Sequence, residues 1–321
     1  MPLITTHNYF AKDVFNKSKK EITNTFHEKQ NLYELFAQGF DPFIFYEFFK
    51  LKKYDLQEYC HYNKTDTFFL NFIKHIKENN LQNNPSVLAS LYGHITHYML
   101  DSTAHPYIVY KTGEYRKEKP NTLKYNGKHN KMEMEIDAYL YEQREHKPFK
   151  NFKIHKHLIT KEKFDKNLLK LLNEVYQETF PIPNGGDKYQ KGCKNMYYAY
   201  KFLIVDQTGI KKFFYHLFDK ITPKKKGVYE NYSNHITNID TTILNNDHHT
   251  WYNPWNNEPS TKSFFDLYND ALENCLILFE ATHNFLHNKI TEEDFKKVLK
   301  DKSYVTGLSW HIKGDMKYLE F

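Results

Sequence analysis

Two short segments repeat histidines and carboxylates at intervals of four: His97, Asp101 and His105 in the first, His129 and Glu133 in the second. An α-helix turns about 100° per residue, so a four-residue step returns a side chain to within about 40° of the same face. Each segment therefore presents one stripe of groups that bind divalent cations. Imidazole nitrogen and carboxylate oxygen are the ligands zinc takes when thiolates are scarce. Two such stripes on facing helices could hold a cluster of ions, which makes the chain a candidate metallohydrolase.

The elements that must carry these stripes follow from hydrophobic periodicity. Leu88, Leu91, Ile95 and Met99 mark a helix from Leu88 to Ile108, with Pro106 near its end. Met132, Ile136 and Leu140 give the 129–143 segment an inward side, while His129, Glu133 and Asp137 share another. Helical spacing also marks 65–79, 163–179 and 264–287, and a last helix begins at Thr291, with three acids in its first turn. Gly, Pro and Asn cluster in 39–42, 113–128, 181–187 and 245–259, which read as loops. Strand patterns are nearly absent. The expectation is an all-α fold, a single multi-helix domain over 1–321 built around a metal cluster; the segment after about residue 290 could be a peripheral extension.

Composition narrows the function classes. Three cysteines among 321 residues, Cys60, Cys193 and Cys275, are too few for a disulfide framework or a thiolate zinc finger and fit a reducing compartment. No apolar run is long enough to cross a membrane, and the first residues lack the basic and apolar regions of a secretory signal, so a cytoplasmic location is expected. The formal charge of +6, from 45 basic and 39 acidic residues, is mild for this length. The runs at Lys17–Lys20 and Lys224–Lys226 read as solvated turns.

Further candidates lie outside the stripes. His7 opens an apparent helix through Val14. Asp41 sits in the turn Gly39-Phe40-Asp41-Pro42-Phe43, where a buried acid needs a partner. His61 precedes the phenylalanine-rich helix at residue 65. His94 lies one turn before His97 and could support the ligands from behind. Trp251 and Trp255 lie in an aromatic loop that could wall a pocket.

Taken together, these segments resemble the zinc-dependent phospholipase C family, which is related in fold to the zinc-dependent single-strand nucleases. The resemblance rests on an early His before a helix (His7), a Gly-x-Asp-Pro-Phe turn (Asp41) and a lone His before a Phe-rich helix (His61). It continues through His-x-x-x-Asp-x-x-x-His-Pro (His97 to Pro106), His-x-x-x-Glu (His129, Glu133) and the loop from Trp251 to Trp255, all in the family's order.

The resemblance implies three metal positions. Asp41, His61, His97 and Asp101 would hold the first, and His105, His129 and Glu133 the second. His7 and Asp101, with the chain's terminal amine, would hold the third. The chain begins Met1-Pro2, whereas secreted members expose a tryptophan there. Up to three zinc ions are implied, and with them a hydroxide formed near neutral pH that attacks phosphorus in a phosphodiester. Asp41 would orient or deprotonate that water, and Asp137 would back the ligands or cap a helix. The expected substrate is a phospholipid or small phosphodiester, with transient membrane-surface contact allowed and no stable nucleic-acid partner. A nuclease-like phosphodiesterase and a non-catalytic metal-binding scaffold are the alternatives. Glu133 fits the phospholipase pattern, since the nucleases tend to carry Asp there.

Overall fold

A computed structural model describes residues 4–47, 56–116, 119–221 and 232–320. The terminal Met1-Pro2 and the Lys224–Lys226 run lie outside these residues. The described residues form a single helical domain of fourteen α-helices. In order these are α1 (Ile4–Lys17), α2 (Lys20–Thr23), α3 (Gln30–Phe36), α4 (Pro42–Tyr46), α5 (Leu56–Tyr62), α6 (Thr65–Glu78) and α7 (Pro85–Thr112). Then come α8 (Lys128–Glu145), α9 (Ile154–His157), α10 (Lys166–Thr179), α11 (Gly185–Ala199), α12 (Ile210–Ile221), α13 (Phe264–Leu286) and α14 (Glu292–Leu299). The strand content described is one two-residue antiparallel pair, Trp251–Tyr252 with Pro259–Ser260, inside the aromatic loop. No helix among the described residues is long and apolar enough to cross a membrane.

The axis of the fold is α7, a 28-residue helix buried on nearly every side. Asn84 caps it by accepting the Val87 N–H at 3.1 Å, and Pro85 occupies the first turn, where a missing N–H costs nothing. The helix does not end near Pro106 but runs on to Thr112, because the buried Tyr107, Ile108 and Val109 hold the turn beyond the proline in the core. Helices α1, α3, α8 and α13 pack around it. A capping box at Ser263 and Asp266 starts α13.

The loop expected at 181–187 ends earlier, since α11 starts at Gly185. A Cβ on Gly185 would stand 2.3 Å from the Tyr176 Cβ, so only a glycine lets α11 begin so close to α10. The segment after residue 290 is no peripheral extension: it buries Phe295, Leu299 and Tyr304 in the common core.

Candidate metal centre

The stripes on α7 and α8 face each other as their spacing requires. Helix α7 brings His97, Asp101 and His105; the first two turns of α8 bring His129 and Glu133; α1 adds His7, the last turn of α5 adds His61, and the start of α4 adds Asp41. Three groups come together tightly enough to hold a metal ion: His7 with His97 and Asp101, Asp41 with His61 and His97, and His105 with His129 and Glu133.

The distances fit an ion better than they fit a hydrogen-bonded network. Four donors about 2.1 Å from one zinc ion lie about 3.4 Å from each other. His61 Nε2 is 3.3 Å from His97 Nε2 and 3.5 Å from both Asp41 Oδ1 and Asp101 Oδ2. His97 Nε2 is 3.0 Å from Asp101 Oδ2 and 3.8 Å from Asp41 Oδ2. The four distances among His61 Nε2, His97 Nε2, Asp101 Oδ2 and Asp41 Oδ1 thus fall near the spacing a central cation would impose, and two imidazole nitrogens face each other across it. In the second group His129 Nε2 and His105 Nε2 lie 2.8 and 3.4 Å from Glu133 Oε1. In the third, His7 Nε2 lies 3.1 Å from Asp101 Oδ1, so the two oxygens of Asp101 look toward different groups.

Backbone carbonyls set the imidazole orientations. Nδ1 of His61 lies 2.8 Å from the Gln57 carbonyl, that of His97 3.1 Å from Ala37, and that of His105 2.9 Å from Tyr304. A carbonyl oxygen can only accept, so each Nδ1 carries a proton and each ring turns its Nε2 inward, the atom that would offer a lone pair to a metal. That is the arrangement metal-binding histidines need.

Asp41 does not cap the turn it sits in: its side chain makes no capping bond to α4. Gln57 Nε2 donates to Asp41 Oδ1 at 3.1 Å, and Asp41 Oδ2 is buried without a hydrogen-bond partner. The turn itself depends on Gly39, whose φ is +49° and whose missing Cβ would stand 2.0 Å from the His97 ring. Burial raises the Asp41 pKa, opposed by His97 and His61. Burial acts in the same direction on Asp101, but His105, His97 and His7 hold its carboxyl well below the usual range. Burial disfavours charge on His105, yet Asp101 and Glu133 push it up to about 9. Among the described residues the ion-pair partners of Asp41 and Asp101 are imidazoles. Buried carboxylates whose charged neighbours are histidines suit a site whose balancing charge is a cation.

A cavity of about 520 Å³ opens onto this centre. Asp41, His61, Asp101, His105, His129 and Glu133 line it, with His7 and His97 behind them. Tyr62, Glu114, Arg116 and Tyr125 form further wall. Glu114 accepts from Tyr62 and pairs with Arg116 at 2.8 Å. Trp251 and Trp255 are not among the lining residues. Trp251 is buried on Tyr107 and donates Nε1–H to the Lys262 carbonyl, so the aromatic loop is packing here.

Two other expectations are refined. His94 stands off the ligand stripe, in a nest of Phe36, Phe40, Phe68 and Tyr176, with Nδ1–H on the Ser90 carbonyl and Nε2 near the Tyr176 hydroxyl. Burial drives its pKa down to about 3, so it is a neutral core residue. Asp137 takes the N–H groups of Thr5 and Thr6 at 2.9 and 2.8 Å and the Thr6 hydroxyl at 2.7 Å. It caps α1 from α8 and thereby fixes His7. Burial pushes its pKa up to about 7 against those bonds.

Tyr304 was not legible in the sequence. Its N–H donates to the His61 carbonyl at 3.1 Å, its carbonyl holds His105, and its ring lies against His61 and His97 at 5.0 and 5.6 Å. Most of that work is done by backbone atoms, which leave no residue-type signature.

A family model described as zinc dependent phospholipase C matches residues 6–181, just over half of the chain. No curated protein and no solved structure matches. The matched span holds all eight candidate ligands, and the chain belongs to the zinc-dependent phospholipase C family.

Proposed function

We propose that this member of the zinc-dependent phospholipase C family is a zinc-dependent phosphodiester hydrolase acting on phospholipid. The observation that carries the reading is the convergence of Asp41, His61, His97 and Asp101, with ligand atoms 3.0–3.8 Å apart, beneath an open cavity. These four would hold one zinc; His105, His129 and Glu133 a second; His7 and Asp101 would contribute to a third, to which the terminal residues lie outside the described structure. Zinc supplies Lewis-acid polarisation of phosphoryl oxygens and lowers the pKa of water to about 7.

The residues of the chain do the rest. Gln57 fixes one oxygen of Asp41, leaving Oδ2 to accept a proton from, or orient, the attacking water. The carbonyls of Ala37, Gln57 and Tyr304 keep the imidazoles turned toward the centre, so the site is organised before substrate arrives. His129 lies at the cavity side of its group, 30% exposed, where a substrate phosphate can approach.

The test is hydrolysis of bis-p-nitrophenyl phosphate and of phosphatidylcholine by the zinc-loaded protein. The reading expects turnover of both and its loss in Asp41→Asn. Turnover of single-stranded DNA without lipid hydrolysis would favour the nuclease-like alternative. A zinc-loaded protein that turns over none of these would favour the scaffold.

A further inference from the structure

Helix α12 (Ile210–Ile221) turns its apolar side away from the protein. Ile210, Phe213, Phe214, Leu217, Phe218 and Ile221 recur at helical spacing and form one stripe. They are 60, 60, 53, 41, 52 and 75% exposed. An apolar stripe of this length normally faces a core; a contiguous exposed one marks an interaction surface.

The polar side is what fastens the helix. Lys212 Nζ donates to the His235 carbonyl at 3.0 Å, Lys211 Nζ to Val205 at 2.5 Å, and the Tyr215 hydroxyl to Leu203 at 2.8 Å. At the helix start Asp206 accepts the N–H groups of Gly209 and Lys212 at 2.9 and 2.8 Å. Tertiary hydrogen bonds therefore hold the helix in this orientation. The π-helical turn Tyr200–Ile204 that Tyr215 grips also exposes Phe202, by 58%, and Phe202 stacks on Tyr198.

The charges select the occupant. Lys211 and Lys212 are spent on fastening the helix, Lys220 is exposed, and the helix's single acid, Asp219, is buried. Lys201 stands over the Phe202 ring, 4.9 Å from its centroid. A phenylalanine-rich face flanked by the exposed Lys201 and Lys220, on a helix with no exposed carboxylate of its own, is the pattern of a helix lying in the plane of an anionic bilayer. A second copy of the same face would bring lysines against lysines.

We propose that α12 is an interfacial anchor that docks the enzyme on an anionic phospholipid bilayer, with Phe213, Phe214 and Leu217 seated among the acyl chains. The choice of lipid as partner rests on the phospholipid reading above, but docking requires no turnover.

The experiment is co-sedimentation of the zinc-loaded protein with vesicles of phosphatidylcholine containing about one-third phosphatidylserine, and with vesicles of phosphatidylcholine alone. It is run beside hydrolysis of bis-p-nitrophenyl phosphate and light scattering without lipid. Wild type should bind the anionic vesicles and remain monomeric. F213S/L217S, at solvent-facing positions, should partition at least about tenfold less while keeping soluble-substrate turnover. Binding that the double substitution leaves unchanged, or none by wild type, overturns the proposal. So does a dimer that the substitution dissolves. Vesicle binding through α12 by a protein that hydrolyses nothing would uphold the anchor and sink the hydrolase reading; hydrolysis of the soluble ester without vesicle binding would do the reverse.

Discussion

Replacing Gly39 with alanine puts a methyl group where His97 already stands. The backbone there has φ +49°, and the added carbon would lie 2.0 Å from His97 Cδ2, 2.4 Å from Cγ and 2.7 Å from Nε2. The left-handed conformation costs an L side chain about 1–2 kcal/mol, and overpacking about 1–3 kcal/mol more. A loss of about 2–5 kcal/mol in stability is therefore expected. The consequence for the metal is sharper. Ordinary contact requires about 3.4 Å or more, so ring and methyl must part by well over an ångström, whereas zinc–ligand distances tolerate about 0.2 Å. The ring also hangs on the Ala37 carbonyl and faces Asp101 at 3.0 Å, so it has no second position that keeps both. Gly39→Ala should retain the far-UV dichroism of wild type, melt at lower temperature and bind zinc at that position about 10–100-fold more weakly. Competition with a chromophoric chelator and metal analysis read the loss. Gly113→Ala is the matched control: φ is +65° and the added carbon would meet Tyr125 at 2.4 Å, away from the candidate ligands. It should lose stability but keep its zinc. Equal zinc affinity in wild type and Gly39→Ala would refute the assignment of His97 to the centre.

Asp101→Asn should reduce zinc content at two positions at once and abolish phosphodiester hydrolysis, because its two oxygens face His7 and the His61–His97 pair separately; metal analysis of the dialysed variant checks this. Asp137→Ala removes the acceptor for the first N–H groups of α1 and should cost about 1–2 kcal/mol in urea unfolding, while His105, His129 and Glu133 keep their zinc. His94 is protonated in the unfolded chain below about pH 6.5 but in the folded one only near pH 3. The unfolded state thus binds the extra proton in between, and stability falls as pH drops through that window, by up to about 1.4 kcal/mol per unit. In urea titrations at pH 7, 5.5 and 4.5, His94→Leu should show a shallower acid limb than wild type.

The parts of this centre visible in the sequence were those whose function imposes a period. His97, Asp101 and His105 must share a helix face, and so must His129 and Glu133, so spacing alone pairs them. The turn at Gly39–Pro42 was marked by its own residue types. What spacing could not reveal was direction. Ile210 to Ile221 has a helical stripe as regular as any in the chain, but a period defines a face without saying whether water or protein lies beyond it. His94 has the right residue type next to the right stripe, yet three residues rotate it into the aromatic nest. Trp251 and Trp255 advertise bulk, which serves packing as well as a pocket wall. The carbonyls of Ala37, Gln57 and Tyr304 orient the imidazoles through atoms every residue possesses, and Tyr304 does so from some 200 residues beyond His105. The glycine at 39 was readable as a turn, but its reason, the imidazole against it, required three dimensions.

The most direct measurement is anomalous diffraction at the zinc edge from crystals of protein dialysed against chelator-free buffer. The account predicts a peak enclosed by Asp41, His61, His97 and Asp101 and a second beside His105, His129 and Glu133. Well-ordered side chains at these positions with no anomalous signal among them, after growth in zinc, would contradict it.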